Sequence, residues 1–163
     1  KPDFMCLSKG ISGGYLPLSV ALTTDQVYQA FYDDSTARGF LHSHSYAGNA
    51  LACSAALATL DIFEQEDVLH ANQIKAAYMN AKLQALTNLP IKYLRNTGMI
   101  WAFDVQTGDS NFSRQFYQAA LQKGLLLRPI GNTVYFMPPY VITEAEMDWL
   151  IEQTRELLID WVS

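Results

Sequence analysis

The sequence predicts an α/β protein, and three observations carry that prediction. Short apolar runs of strand length alternate with segments of helical period, glycine and proline punctuate the joints, and a capping box opens the last periodic segment. Half of the 163 residues are hydrophobic and 17% are charged, a balance that lets a chain of this length bury a core.

The elements follow in order. Residues 3–8 read as a short buried strand and "LSVALTT" (18–24) as a second, joined by a turn through Gly10, Gly13 and Gly14. Thr24 or Asp25 then caps a helix through Tyr32. Residues 33–48, "DDSTARGFLHSHSYAG", hold no sustained period and form a loop, and loops of that length inside a compact domain usually carry function. From Asn49 to about Leu86 the pattern is helical throughout, starting with the small-residue run "ALACSAALATL" that lets a neighbour approach closely. "IKYLRNTGMIWAFDVQ" gives two strands bent at Gly98, and "NFSRQFYQAALQKG" a helix that Gly124 stops. "LLLRPIGNTVYFMPPYVIT" precedes an amphipathic helix over 143–161, opened by Thr143-x-x-Glu146. The composition shift at "EQEDVLH" places a domain boundary there, dividing the chain into 1–64 and 65–163. The second part then reads β-β-α-β-β-α.

Charge and cysteine usage narrow the function. Eleven Lys and Arg stand against 16 Asp and Glu, a net charge of −5 with no basic run, which argues against a nucleic-acid partner. Cys6 and Cys53 lie in apolar stretches without CxxC spacing, and read as reduced, buried thiols of a cytoplasmic protein. No apolar run approaches the roughly 20 residues of a membrane span, and no signal-peptide pattern is present. The chain lacks an initial methionine and enters a strand almost at once, so the expectation is a piece of a longer protein.

Two charged residues stand in apolar settings. Lys9 closes the first strand and is followed by glycines, the place where an open α/β sheet presents chemistry. The order is wrong for a P-loop and GxGxxG is absent. An amine serving as nucleophile or Schiff-base former remains, beside the plain alternative of a solvated surface lysine. Arg128 follows "LLL" and precedes Pro129. If Gly131-Asn132 is a two-residue hairpin turn, Arg128 pairs with Tyr135 on one face, and a guanidinium fork beside a phenol receives a carboxylate well. A structural ion pair with an internal carboxylate is the alternative. His42 and His44, two apart, lack the third ligand that a metal site needs, and no metal is expected. Ser45 reads by itself as a loop or capping hydroxyl.

"SKGISGGYLPLSVALTT" resembles the lysine segment of the class III pyridoxal-phosphate aminotransferases, and "HSHSYAGNALACSAALATL" resembles their second signature. "LRPIGNTVYFMPPYVIT" resembles, more narrowly, the branch of that family that serves biotin synthesis. The resemblance implies a fold type I transferase, with 1–64 as the end of the large domain and 65–163 as the C-terminal α+β small domain. It implies pyridoxal 5'-phosphate as cofactor, held by Lys9, which also shuttles the proton. His44 falls on the cofactor side, and Ser45 matches a hydroxyl that reaches the phosphate of the neighbouring subunit in a homodimer with shared sites. Ser43 falls on the substrate side, where the family commonly carries glycine. Arg128 matches the arginine for the acid end of the substrate, with Tyr135 lining the same pocket. The implied donor is S-adenosylmethionine and the implied acceptor 8-amino-7-oxononanoate, giving 7,8-diaminononanoate. The family's pyridine-pairing carboxylate, its ring-stacking aromatic and its Gly-Ser phosphate turn precede the lysine. The whole protein is therefore expected to be an enzyme, and this stretch alone to be inactive. The alternatives are another class III enzyme acting on ω-amino acids, and a non-catalytic interaction domain.

Overall fold

The computed structural model describes residues 1–162, which divide into two compact units between Val68 and Leu69. In the first unit, β1 (Phe4–Ser8) and β2 (Ser19–Thr23) form an antiparallel ribbon in the register Phe4↔Thr23 through Ser8↔Ser19. A 3-10 turn over Lys9–Ser12 leads out of β1. Helix α1 (Asp25–Gln29) starts where the Thr24 hydroxyl accepts from the Val27 N–H at 3.4 Å, and it is shorter than its period suggests. In the following loop Arg38 bonds Asp33 at 3.0 Å and the Ala30 carbonyl at 2.8 Å, fixing a segment that has no regular structure beyond one short turn. Helix α2 (Ala50–Gln65) is opened by Asn49, whose side-chain oxygen accepts from the N–H groups of Leu51 and Ala52.

Burial in this unit differs from the sequence reading. Every residue of β1 is exposed, although "FMCL" is apolar, because in this unit neither face of the two-stranded ribbon is covered by a second layer. Cys6 is accordingly exposed and Cys53 half-buried, so the expectation of two buried thiols does not hold; both are free. What the unit does bury is small: Ser12 of the 3-10 turn and Ala52 and Ala56 of α2.

The helical pattern read from Asn49 to about Leu86 is divided between two helices. Glu66 ends α2 by donating its N–H to the Ile62 carbonyl, and Asp67 takes a left-handed φ of +46° before α3 (Val68–Leu83) begins. Aspartate is among the few non-glycine residues that visit this region readily, and a single such residue ends a helix.

The second unit is built on a three-stranded antiparallel sheet in the order β3 (Ile91–Thr97), β4 (Ile100–Val105), β5 (Thr133–Phe136). Gly98 (φ +54°) makes the β3–β4 turn, and a register shift between Lys92 and Arg95, with Tyr93 at φ +55°, bulges the edge strand. Trp101, Phe103 and Val105 alternate along β4 into the core, where they join Val134 and Phe136 of β5. Helices α4 (Phe112–Gln122) and α5 (Glu144–Val162) add Phe112, Phe116, Ala120, Met147, Ile151 and Leu158 to that cluster. Gly124, φ +77°, ends α4 as expected, and the Thr143–Glu146 capping box forms, with the Glu146 carboxylate accepting from both the Thr143 N–H and hydroxyl at 2.8 Å. The strand expected to lead into the Gly131–Asn132 turn is absent. Pairing stops at one bridge, Ile130↔Thr133, whose residues exchange both N–H···O bonds, and beyond it the Pro129 carbonyl turns to the Ser113 hydroxyl of α4 at 2.6 Å. After α3, whose Met79 and Leu83 join the core, the unit thus runs β-β-α-β-α.

Two stability predictions arise here. Thr154 of α5 is fully buried on the stripe of Ile151 and Leu158, and its hydroxyl has no partner among the described residues. Replacing Thr154 by valine removes an unsatisfied group at nearly constant shape, and the urea midpoint should rise by the equivalent of about 1 kcal/mol. Separately, Asp148 of α5 is held by two groups of α3. The Lys82 ammonium lies 2.8 Å from one oxygen, and the Tyr78 hydroxyl donates to the other at 2.9 Å. Lys82 first, then Tyr78, lowers the Asp148 pKa, and the same partnership raises that of Lys82. A lowered carboxylate pKa gives stability that is present above the unfolded value and lost as pH falls through the folded one. Acidification from about pH 5 to 3 should therefore lower the wild-type melting temperature more than that of Asp148→Asn. Parallel loss in both would mean that this pair does not contribute.

Candidate active site

The first unit presents an open concavity of about 1330 Å³. Its wall comes from the end of β1 (Ser8, Lys9), the segment from Gly14 to Ser19, Ala21 of β2, and the loop residues His42, Ser43, His44 and Tyr46 to Asn49. The antiparallel register sets Ser8 opposite Ser19, so the two hydroxyls stand side by side where Lys9 leaves the strand. Lys9 itself has a left-handed φ of +56°, costly for a side chain of this size. Its amine is exposed, not buried as the strand pattern suggested, and no ion pair engages it among the described residues.

Lys9 is the only residue of the lining that carries a formal charge; no Asp or Glu contributes to it. Hydroxyl-bearing Ser8, Tyr15, Ser19, Ser43 and Tyr46 share the lining with it, and His42, His44 and Asn49 complete the polar set. His44 accepts from the Tyr46 N–H at its Nδ1 (3.2 Å) and stacks on the Tyr46 ring at 5.8 Å, which leaves Nε2 as its free edge. His42 lies against Phe40, with centroids 5.6 Å apart. An amine nucleophile among hydroxyls, with no acid near it, suits a ligand that carries a carbonyl and negative charge.

Of the residues singled out in this part of the sequence, Lys9, Ser43 and His44 meet in one lining, and Ser45 does not contribute to it. Ser45 starts the turn that leads to α2, which Gly48 (φ +68°) closes. The first N–H groups of α2 are occupied by Asn49, so in this chain the helix start is satisfied internally. Sequence reasoning missed Ser8, Ser19, Tyr15 and Tyr46. Ser8 and Ser19 were findable by pairing the two strands across the glycine turn, whereas Tyr15 and Tyr46 depend on loop geometry. No group of three or more metal-binding side chains lies together among the described residues. Among the same residues, no helix is long and apolar enough to cross a membrane.

Arg128 and Tyr135 lie in the second unit, where they line a groove of about 310 Å³ with Leu125 to Leu127, Phe136 to Pro139 and Leu150. The ladder that would place them directly opposite does not form, yet both reach the same groove from the two arms of the Gly131–Asn132 turn. Arg128 is exposed, between buried Leu127 and Pro129, and no hydrogen bond or ion pair engages its guanidinium among the described residues. A free fork beside a half-buried phenol, on apolar walls, can receive a carboxylate bidentately.

The family model Aminotransferase class-III matches residues 1–158. Among curated proteins, the chain is 48% identical to the adenosylmethionine-8-amino-7-oxononanoate aminotransferase of Helicobacter pylori, covering 97% of this chain and 38% of that protein. It is 38% identical to the enzyme of the same name from Methanocaldococcus jannaschii, over 97% of this chain and 37% of the relative. The crystal structure of adenosylmethionine-8-amino-7-oxononanoate aminotransferase from Methanocaldococcus jannaschii superposes with a TM-score of 0.90 at 36% identity, covering 98% of this chain and 39% of that one. An (S)-enantioselective omega-transaminase from Thermomicrobium roseum superposes with a TM-score of 0.87 at 26% identity, over all of this chain and 38% of its own. The chain thus spans well under half the length of the relatives it matches.

Proposed function

This chain belongs to the class III aminotransferases, and from that premise we propose that the protein it represents is a pyridoxal 5'-phosphate enzyme of biotin synthesis, moving an amino group from S-adenosylmethionine to 8-amino-7-oxononanoate. The observation that carries the chemistry is Lys9, the only charged residue in a hydroxyl-rich concavity that contains no acid. That donor set fits the cofactor's aldehyde and its phosphate charge. No lining residue is an acid that would pair the ring nitrogen. The choice of substrates rests on relatives bearing that name at up to 48% identity.

When bound, the cofactor supplies an electrophilic carbonyl and a conjugated ring that accepts electrons from the substrate carbon. The residues of this chain do the rest. Lys9 holds the cofactor through its amine, yields that position to the incoming substrate amine, and then moves a proton at the substrate carbon. His44 and Ser43 border the place of reaction, on the cofactor and the substrate side respectively. Ser45 serves the phosphate of a neighbouring subunit in a cytoplasmic homodimer with shared sites, which is consistent with its standing outside the Lys9 lining. Arg128 takes the acid end of the acceptor, and Tyr135 flanks it.

The test is a donor survey with the intact enzyme and 8-amino-7-oxononanoate, read by mass detection of 7,8-diaminononanoate. Product formed with S-adenosylmethionine supports the assignment. Transamination of ω-amino compounds with pyruvate or 2-oxoglutarate, and none with S-adenosylmethionine, would transfer it to another branch of the family. No transamination with any pair would identify a non-catalytic domain.

A further inference from the structure

Lys9 is strained and nothing beside it accounts for the strain. Its φ of +56° belongs to the left-handed region, the preceding Ser8 is fully extended, and no side-chain cap holds the turn at its start. Such a conformation persists only when the surroundings fix it. The fixing contacts lie at the other end of the 3-10 turn. Ser12, the last residue of the turn, is 1% exposed in a unit that buries almost nothing else, and its hydroxyl donates to the Leu16 carbonyl at 2.5 Å. Gly13 follows at φ +62° and donates to the Gly10 carbonyl at 3.0 Å. A Cβ on Gly13 would lie 3.1 Å from the Thr59 hydroxyl oxygen of α2, so backbone and helix meet there without room for a side chain. Thr59 is itself tied down, donating to the Ala55 carbonyl at 2.8 Å.

The geometry points to Ser12 as a positioning residue for Lys9. Its buried hydrogen bond closes the loop from Ser12 to Leu16, seats the turn on α2, and thereby keeps Lys9 in the left-handed conformation from which its amine enters the concavity. A hydroxyl is required here because the Leu16 carbonyl would otherwise lose its donor. The role of Lys9 is taken from the proposed function above, whereas the link between Ser12 and the lysine backbone is independent of it.

Two measurements on the intact enzyme test the link. Reductive methylation with carbon-13 formaldehyde gives an NMR signal for each lysine side chain, and Lys9→Arg identifies the signal of Lys9. Ser12→Ala should move that signal alone, and Ser12→Thr, which keeps the hydroxyl, should return it. In parallel, trapping of pyridoxal 5'-phosphate on Lys9 by borohydride should fall about tenfold in Ser12→Ala relative to the other lysines. An unmoved Lys9 signal in folded Ser12→Ala overturns the proposal. If Ser12→Ala does not fold, Gly13→Ala takes its place, since it keeps the hydroxyl but drives a methyl toward Thr59. There too a shift confined to Lys9 supports the link and its absence overturns it. Wild-type trapping without preference for Lys9, alongside a Ser12-dependent signal, would sink the cofactor reading and leave the positioning link standing.

Discussion

Lys9→Ala in the intact enzyme should lose at least about 10³-fold in turnover with both donor and acceptor, because one amine is asked to hold the cofactor and to move the proton. Loss in only one half-reaction would show that these two tasks belong to different residues, and retained turnover would remove Lys9 from the mechanism. Backbone strain at the same residue gives an internal control. Glycine accepts a φ of +56° without the penalty of about 1–2 kcal/mol that a Cβ carries there, less the roughly 0.4–1 kcal/mol that its freedom adds to the unfolded chain. Lys9→Gly should therefore be as inactive as Lys9→Ala yet at least as stable as the wild type, measured by urea denaturation. A variant that gains or keeps stability while losing all activity cannot owe its loss to misfolding. It would also place Lys9 among residues whose native conformation is tolerated for function at a cost to folding.

How far the sequence could be read depended on whether a feature is local. The Thr143–Glu146 box, the Thr24 cap and the Gly124 stop were all legible, because each is a short-range feature of the first or last turn of a helix. The left-handed residues Lys9 and Tyr93 were not, since nothing in their side chains announces the sign of φ, and Asp67 carries only a weak preference for it. Asp67 divides the helical pattern read there between two helices. Apolar character misled for β1, where "FMCL" reads as buried although burial depends on a covering layer that the ribbon does not have in this unit. The Gly131–Asn132 turn and its bridge were legible, but the end of pairing beyond them depends on the Pro129 carbonyl turning to Ser113, a partner 16 residues away. For the site, Lys9 was reachable because glycines framed it at the end of a strand, whereas Ser43 and His44 were reached only through the resemblance of their loop to the family's second signature. Ser19 and Tyr46 needed strand register and loop path.

Arg128→Ala should raise the KM for the acceptor about 10²-fold, and leave the donor half-reaction within a few-fold of wild type. The reasoning starts from exposure. The Arg128 side chain is solvent-facing and unpaired among the described residues, so its removal breaks no internal network and should change stability by no more than about 0.5 kcal/mol. What it removes is a guanidinium beside Tyr135 in a groove whose other walls are leucine, phenylalanine, methionine and proline. A hydrogen bond to a charged group contributes about 1.5–3 kcal/mol, which sets the scale of one to two powers of ten in binding. Arg128→Lys keeps the charge but loses the planar fork, and should fall between the two, near a tenfold loss. Tyr135→Phe keeps the ring and removes only the hydroxyl, so its effect should be smaller than either. Single-turnover kinetics, run separately from the donor side and the acceptor side, make the distinction. A loss confined to the acceptor side marks Arg128 as the carboxylate receiver. Equal losses on both sides, with the melting temperature lowered in step, would mean instead that the groove and its arginine support the fold of the second unit.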